Sequence, residues 1–287
     1  MAAFGQSGQT LKPGLYIVAT PVGNLRDITL RALDVLAAAK AVYCEDTRVT
    51  QKLLGFYGLQ KTLVRCDAHK EGKRASEIAA RVASGEIVAL VSDAGTPGIS
   101  DPGALLVGEC HALNVPVFPI PGASALTAAL SVSGFAQTSF VFLGFLPPRS
   151  AARRQTLQTW SKSDAILALY EAPQRVEELL EDIEKMLGLR QIMIARELTK
   201  TFETLYRGTP DGLKQAAQDK KFKGEVVMLI APSEQQDEGV NEEKILDALR
   251  EALQKVSLRE AVAQVTAQTG LPRKTIYALA LTLQRDD

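Results

Sequence analysis

Residues 88–103 read VALVSDAGTPGISDPG. Val88-Ala89-Leu90-Val91 is a short apolar run bounded by turn formers, the pattern of a strand buried on both faces of a parallel sheet. A stretch of Ser, Asp, Gly, Thr and Pro follows, and a helical pattern resumes at Pro102 with Asp101 placed to cap it. A strand that runs through a polar loop into a helix is where open α/β sheets hold ligands. Gly95, Gly98 and Gly103 allow backbone close to a bound molecule, while Pro97 and Pro102 fix the path of the loop. A plain strand-to-helix connection needs only about two to six residues, so the length of this one points to a binding site.

The same unit recurs on either side. Residues 15–20 (LYIVAT) read as a strand running into Pro21-Val22-Gly23-Asn24, then a helix from about Asp27, placed as its cap. The glycine spacing fits neither a Walker loop nor the GxGxxG fingerprint. The bend reads equally as a second wall of the site or as an ordinary strand-to-helix turn. A strand at 41–44 ends in Glu45-Asp46-Thr47-Arg48, which suits a site or the charged start of a helix at 48–56. A strand at 62–65 leads into a polar loop carrying His69, then a helix at 72–83. A strand at 115–119 runs into Pro121-Gly122-Ala123-Ser124, small residues that permit close packing against a ligand or a neighbouring element. Residues 140–143 read as an edge strand.

From 144 the composition shifts. Gly144-Phe145-Leu146-Pro147-Pro148 reads as a domain linker, and Arg149, Arg153 and Arg154 open a helix as a cluster that suits phosphates or a solvated face. Strands are expected at 165–170, 191–195, 202–207 and 225–231, and helices at 173–187 and 210–217. Tyr170-Glu171-Ala172-Pro173 closes one strand with a carboxylate. Residues 196–203 (RELTKTFE) are dense in charge without regular alternation, as in a functional loop. Lys220, Lys221 and Lys223 form a second basic knot. Residues 232–240 (PSEQQDEGV) read as a polar linker. Helices near 241–254, 258–268 and 272–284 finish the chain; the last two resemble a helix-turn-helix with Gly270 at the turn and Pro272-Arg273-Lys274 opening the second helix, but equal acidic and basic content favours a small bundle that docks on RNA or on a partner subunit.

Composition narrows the function classes. The 287 residues carry 33 Lys plus Arg against 33 Asp plus Glu, which argues against broad electrostatic binding of nucleic acid but not against a local patch. Cys44, Cys66 and Cys110 are odd in number, lack metal-ligand spacing, and read as reduced thiols of a cytoplasmic protein. With only His69 and His111 as histidines, a histidine-rich metal site is excluded, and no metal is expected. No apolar run approaches the length of a membrane span. The first residues lack the regions of a signal peptide and read as a flexible lead-in.

Taken together, LYIVATPVGNLRDIT, YCEDTR, VALVSDAGTPGISDPG, PIPGASAL, FLPP and RELTKTFET resemble the bacterial small-subunit (16S) ribosomal RNA (cytidine-2′-O)-methyltransferases of the tetrapyrrole-methylase superfamily. The motifs occur in order over nearly the whole chain. The resemblance implies an α/β fold of two α/β domains with S-adenosyl-L-methionine in the cleft between them, plus a small helical C-terminal domain. The expected divisions are a flexible 1–14, domains at 15–144 and 145–232, and a helical domain at 233–287. It also implies a homodimer, and a cytidine ribose of 16S ribosomal RNA, free or in the assembled small subunit, as methyl acceptor. Carried over position by position, it assigns cofactor contacts to Pro21, Gly23 and Asn24, to Asp93, Ala94, Gly95, Thr96 and Pro97, to Gly122, Ala123 and Ser124, and to Tyr170 and Glu171. Ala195 and Glu225 are carried over on weaker matches. The superfamily commonly has Gly-Asp-Pro where this chain has Gly95-Thr96-Pro97, which leaves open the side chain that meets the cofactor there.

A sulfonium methyl is already activated, so such an enzyme mainly aligns the ribose oxygen, methyl carbon and sulfur. The 2′-hydroxyl is a poor nucleophile that benefits from a base. No histidine falls in a matching motif, leaving Glu45, Asp46, Lys200 and Glu203 as candidates for the catalytic group. Arg48 and Arg196, with Arg149, Arg153 and Arg154, are candidates for RNA phosphates. Two other readings stand beside this one: a methyltransferase of the same type acting on a small tetrapyrrole or a protein side chain, and a nucleic-acid-binding regulator led by the terminal helices.

Overall fold

The computed structural model describes residues 11–66, 71–136, 139–219, 224–233, 242–269 and 273–283. The chain falls into two compact units, Met1–Ser233 and Glu234–Asp287. The larger one holds two five-stranded sheets.

The first sheet is built from β1 (Gly14–Val18), β2 (Ala41–Cys44), β3 (Thr62–Arg65), β4 (Ile87–Val91) and β5 (Val117–Ile120), all parallel, in the order β3-β2-β4-β1-β5. Successive side chains of a strand face opposite ways. Tyr16 and Val18 therefore join α1 (Leu30–Ala38) and Leu54 of α2 (Thr47–Phe56) on one face. Leu15 joins α3 (Glu71–Ala83) and α4 (Ala104–Ala112) on the other. Both faces are covered, which explains why the strands are apolar throughout. The central strands β1 and β4 lie side by side, yet β1 connects toward β2 and β4 toward β5, in opposite directions across the sheet. Loops that diverge at neighbouring strand ends leave the crevice in which such sheets bind ligands.

Two of the expected helix caps are corrected. Asp27 ends a short 3-10 turn, Leu25–Asp27, that Asn24 caps, and α1 starts three residues later behind Thr29, whose hydroxyl accepts from Ala32 N (3.1 Å). The helix expected from Pro102 begins at Ala104, and its N-cap is Gly103, two residues beyond Asp101.

The second sheet is mixed. Its strands are β6 (Phe140–Phe145), β7 (Ile166–Glu171), β8 (Ile192–Arg196), β9 (Thr204–Gly208) and β10 (Val226–Ile230), in the order β6-β7-β10-β8-β9, with only β6 and β7 parallel. One face packs on α6 (Ser150–Thr159), α7 (Val176–Leu187) and α8 (Pro210–Asp219) through residues such as Leu157, Leu180 and Leu213. The opposite face packs on α5 (Ala125–Ser133) through Leu126 and Ala129. The expected division after residue 144 is corrected by this arrangement. The strand at Phe140 belongs to the second sheet, the supposed linker at Gly144 and Phe145 is its end, and α5 already covers that sheet. Apolar strand and linker look alike in sequence when the strand ends in Gly-Phe-Leu-Pro.

Arg153 is also corrected. Expected at an RNA surface, it is 1% exposed, with Nε 2.6 Å from Asp182 Oδ2. Arg154 Nε meets the other oxygen of the same carboxylate (2.5 Å), and Ser150 Oγ donates to it as well. The helical spacing of 150, 153 and 154 turns all three onto α7. Burial pushes the Asp182 carboxyl up, but the bonds from Arg154, Arg153 and Ser150 outweigh it and hold the pKa below its ordinary value.

The smaller unit holds α9 (Glu242–Leu253), α10 (Leu258–Thr269) and α11 (Arg273–Leu283) around Leu249, Val262, Val265 and Ile276. The expected turn residues Gly270 and Pro272, with His69 and the lysines at 220, 221 and 223, lie outside the described residues. The three cysteines are free thiols, all buried, and among the described residues no helix is long and apolar enough to cross a membrane.

Breaking one partner of a buried ion cluster typically costs about 3–5 kcal/mol. Asp182→Asn is therefore expected to lower the unfolding free energy by roughly 3 kcal/mol, measured by urea titration at neutral pH. Because the folded pKa is depressed, the native contribution is present above the unfolded carboxylate pKa and lost as pH falls through the folded value. The gap between wild type and variant is expected to shrink in acid.

Candidate active site

Three loops leave the C-terminal edge of the first sheet together, and backbone bonds lace them. Thr20 N donates to Gly95 O (2.8 Å) and Gly95 N donates to Thr20 O (3.0 Å). This pair joins the loop after β1 to the loop after β4. The buried Thr20 hydroxyl donates to Ser92 O (3.1 Å), and Thr96 Oγ1 donates to Ala123 O (3.2 Å), which brings in the loop after β5. Gly95 holds φ +78° with Val22 and Ala123 close by, so the lacing needs a residue that tolerates the left-handed region.

The facing wall comes from the second sheet. Tyr170 and Glu171 end β7, and Gly224 and Glu225 lead into β10. A turn after β8 buttresses them. Glu197 and Thr199 both hold positive φ without being glycine (53° and 65°). Glu197 Oε1 accepts from Glu225 N (3.1 Å) and Lys200 Nζ (3.1 Å), and Glu225 Oε2 lies 3.2 Å from the same ammonium. Gly224 sits at φ +81° where a Cβ would lie 1.9 Å from Glu197 Oε1, so only glycine leaves room for this buttress. The turn also touches the first wall. Thr199 Oγ1 accepts from Asn24 N (3.0 Å), and a Cβ on Gly23 would fall 2.6 Å from Lys200 Cγ and 2.7 Å from Leu198 O.

Between the walls lies a cleft of about 270 Å³, continuous with solvent. The first wall supplies Val22, Ala94, Gly95, Thr96, Ile99, Ser100, Asp101, Ser124 and Ala125. The second supplies Phe145, Tyr170, Glu171, Ala172, Pro173, Gly224, Glu225, Val226 and Val227. A shallower groove beside it shares Val22 and Ser124 and adds Gly122, Ala123 and Thr199. Apolar faces and acids dominate the cleft. Among the described residues that line it, Asp101, Glu171 and Glu225 carry carboxylates, and none is Lys, Arg or His. Burial and the nearby Glu45 carboxylate push Asp101 up to about 6, with Ser92 hydrogen-bonding against the shift and Asp93 adding to it. Burial likewise raises Glu171, although Oε1 accepts from Ala172 N (2.8 Å) and sits 3.3 Å from Arg175 Nε. Its other oxygen, Oε2, is buried without a hydrogen-bond partner. The Tyr170 ring stands edge-on to Phe142 and Phe145, at 4.9 and 5.7 Å.

Of the residues expected to touch a cofactor, Ala94, Gly95, Thr96, Ser124, Tyr170, Glu171 and Glu225 line the cleft, and Gly122 and Ala123 the adjoining groove. Pro21, Gly23 and Asn24 stand behind it: Pro21 is buried beside Val22, and the other two meet the Leu198–Lys200 turn. Asp93 is turned to the next loop, accepting from Asp46 N (3.1 Å). Pro97 is corrected, since it lines a different groove, with Leu90, Gly103 and His111. Ala195 is fully buried in β8 among Leu126, Val227 and other core residues and is not among the residues lining the cleft.

The expected proton acceptors fare unevenly. Lys200 is corrected, because two carboxylates outweigh its desolvation, raise its pKa and keep it an ammonium without a lone pair. Glu203 accepts from Thr199 N (2.6 Å) on the exposed side of the turn, away from the cleft lining. Asp46 caps α2 and is chelated by Arg48, which holds its carboxyl at about 2, a poor base. Glu45 is raised by burial and by the charges of Asp93 and Asp46. It stands behind Asp101 rather than on the cleft. Asp101 itself was hidden by its resemblance to a helix cap, and Phe145 by its resemblance to a linker. Of the arginines, Arg48 is 84% exposed and Arg149 exposed, while Arg196 is half-buried.

Residues 14–214 match the Tetrapyrrole (Corrin/Porphyrin) Methylases, and residues 239–284 match the RsmI C-terminal HTH domain. Proteins named ribosomal RNA small subunit methyltransferase I are similar along almost their whole length. The one from Xylella fastidiosa is 44% identical over 271 residues (92% of this chain, 98% of that one), and the one from Synechocystis 42% over 275 (95% and 99%). The fold is shared with the uroporphyrin-III C-methyl transferase of Thermus thermophilus complexed with S-adenyl homocysteine, at TM-score 0.54 and 18% identity, over 76% of this chain and 97% of that one. The chain therefore belongs to the tetrapyrrole methylase family and, within it, to the ribosomal RNA small subunit methyltransferase I group.

Proposed function

We propose that the cleft binds S-adenosyl-L-methionine and that the protein transfers its methyl group to the 2′-oxygen of a cytidine ribose in small-subunit (16S) ribosomal RNA. The observation that carries the cofactor is the chemistry of the lining. A cleft edged by three carboxylates, with no cationic side chain among its described residues, suits a cation and repels a phosphate. The RNA substrate is supported by what the relatives' names say they act on.

In this reading Val22, Phe145, Tyr170 and Val226 offer apolar surface to the adenine, and Ala94, Gly95 and Thr96 bring backbone alongside it. Glu171 Oε2, buried and unpartnered, accepts a hydrogen bond from the ligand, which removes the cost of leaving it unmade. The cofactor supplies an electrophilic sulfonium methyl. What the protein adds is alignment of the acceptor oxygen on the far side of that carbon and exclusion of water. Lys200 acts at a distance by fixing Glu197 and Glu225. Arg48 and Arg149, outside the cleft, meet RNA phosphates. The exposed Arg48–Asp46 pair is worth little on its own and opens readily to a phosphate. Arg196 is assigned the same partner from its place at the end of β8. We also infer a homodimer, supported by the apolar Leu105 and Leu113 left exposed at the two ends of α4.

Purified protein given methyl-labelled S-adenosylmethionine and small ribosomal subunits is expected to place label on a ribose. Mass spectrometry of nuclease digests should find 2′-O-methylcytidine. Label on a base, or only on a small macrocycle, would overturn the reading. Gly23→Ala tests the docking of the two walls. The added methyl has to displace the Lys200 turn, and cofactor binding by calorimetry is expected to weaken by about tenfold, roughly 1.4 kcal/mol of lost pre-organisation.

A further inference from the structure

We propose that Asp101 is the catalytic residue that takes the proton from the ribose 2′-hydroxyl. This rests on the reading of the cleft as a ribose methyltransferase site. Four observations on the structure carry it. First, Asp101 lines the cleft, unlike Glu45, Asp46, Lys200 and Glu203. Second, the N-cap of the following helix is Gly103 and not Asp101, and the Asp101 carboxyl is hydrogen-bonded by Ser92 at the end of β4. Third, the chain reaches it through Ser100, a non-glycine residue at φ +63° that also lines the cleft. Such a conformation costs roughly 1–2 kcal/mol per residue and clusters at functional sites. Fourth, the same cleft holds the buried, unpartnered Oε2 of Glu171, which marks it as built for a ligand.

The charged and titratable surroundings of Asp101 come from every loop around it. Glu45 follows β2, Asp93 and Ser92 follow β4, and Tyr170 faces it from β7, with Glu171 and Glu225 completing the acids of the cleft. Burial and like charge hold its proton affinity near neutrality, where a carboxylate is both ionised in the cell and basic enough to be useful. The step balances simply. A lone pair of the 2′-oxygen forms the new O–CH3 bond, the S–CH3 bond breaks with its pair left on sulfur, and the hydroxyl proton passes to the Asp101 carboxylate. The positive charge of the sulfonium is thereby cancelled against the negative charge of Asp101, and no net charge is created in the cleft.

The test is single-turnover methyl transfer to small ribosomal subunits from pH 5 to 8.5, with cofactor affinity measured by calorimetry on the same preparations. The wild-type rate is expected to climb about tenfold per pH unit on the acid side and to level off above about pH 6. Asp101→Asn is expected to lose about a hundredfold or more in rate, while its cofactor affinity, still supported by Glu171 and Glu225, falls by less than about tenfold, and that retained binding also reports that it is folded. Asp101→Glu is expected to recover part of the rate. Glu45→Gln, which removes the neighbouring charge, is expected to move the acid limb to lower pH. An Asp101→Asn enzyme as fast as wild type would overturn the role. So would a loss of rate matched by an equal loss of cofactor affinity, which would make Asp101 a binding group. A wild-type protein that labels no ribose would overturn the functional reading and this role together, an outcome distinct from an active wild type with an equally active variant.

Discussion

Two backbone hydrogen bonds between Thr20 and Gly95 fix the position of nearly everything that matters in the larger unit. They lie beyond the ends of β1 and β4, where the sheet has stopped and the chain has begun to diverge. A parallel ladder ends when its strands turn away, and its last amides and carbonyls then need partners. Here they find each other across the crevice, and the loops are held open rather than collapsed. The Thr20 and Thr96 hydroxyls extend the same lacing to Ser92 and Ala123. Val22, Ala94 and Ser124 each lie within two residues of a bond in this lacing, which positions them on the cleft.

The second wall is carried by its own sheet, where Glu171 pairs with Val226 and Tyr170 with Val227, and charge ties the neighbouring turn to it. Glu197 binds the Glu225 amide and the Lys200 ammonium, in a turn whose left-handed residues at 197 and 199 are costly unless something compensates. That compensation includes the contact with Gly23 and Asn24. The two walls are therefore coupled: the turn that sets Glu225 also abuts the loop that sets Val22. α5 couples them again, since it starts from the first sheet's last loop and buries Leu126 and Ala129 against the second sheet.

The same features explain what could be read from the sequence. The ends of the buried strands were visible because apolar runs such as 88–91 stop abruptly at Ser, Asp and Gly, and the loops that follow did line one cleft. The sheet to which a strand belongs was not visible. Phe140–Phe145 is flanked by Gly and Pro and carries no mark of the partner it pairs with, β7, more than twenty residues on. Side-chain direction was equally hidden. Arg153 and Arg154 look like an exposed basic cluster until the turn of the helix places them on Asp182, and Ala195 looks like a site residue until its strand proves central. Asp101 was concealed by a stronger local signal, the Asp-Pro-Gly start of a helix, which the chain overrides by beginning α4 at Ala104.

In the proposed function, a chain with as many acidic as basic residues handles a cationic cofactor and a polyanionic RNA at neighbouring places. Segregation of charge answers that demand. The cleft carries carboxylates, while the exposed Arg48 and Arg149 sit outside it. Arg48 is tied to Asp46, away from the carboxylates that line the cleft. On the proposed reading, the three carboxylates Asp101, Glu171 and Glu225 oppose entry of a phosphate and leave a neutral ribose hydroxyl unopposed, so that charge sorts the parts of a nucleotide before any base is read.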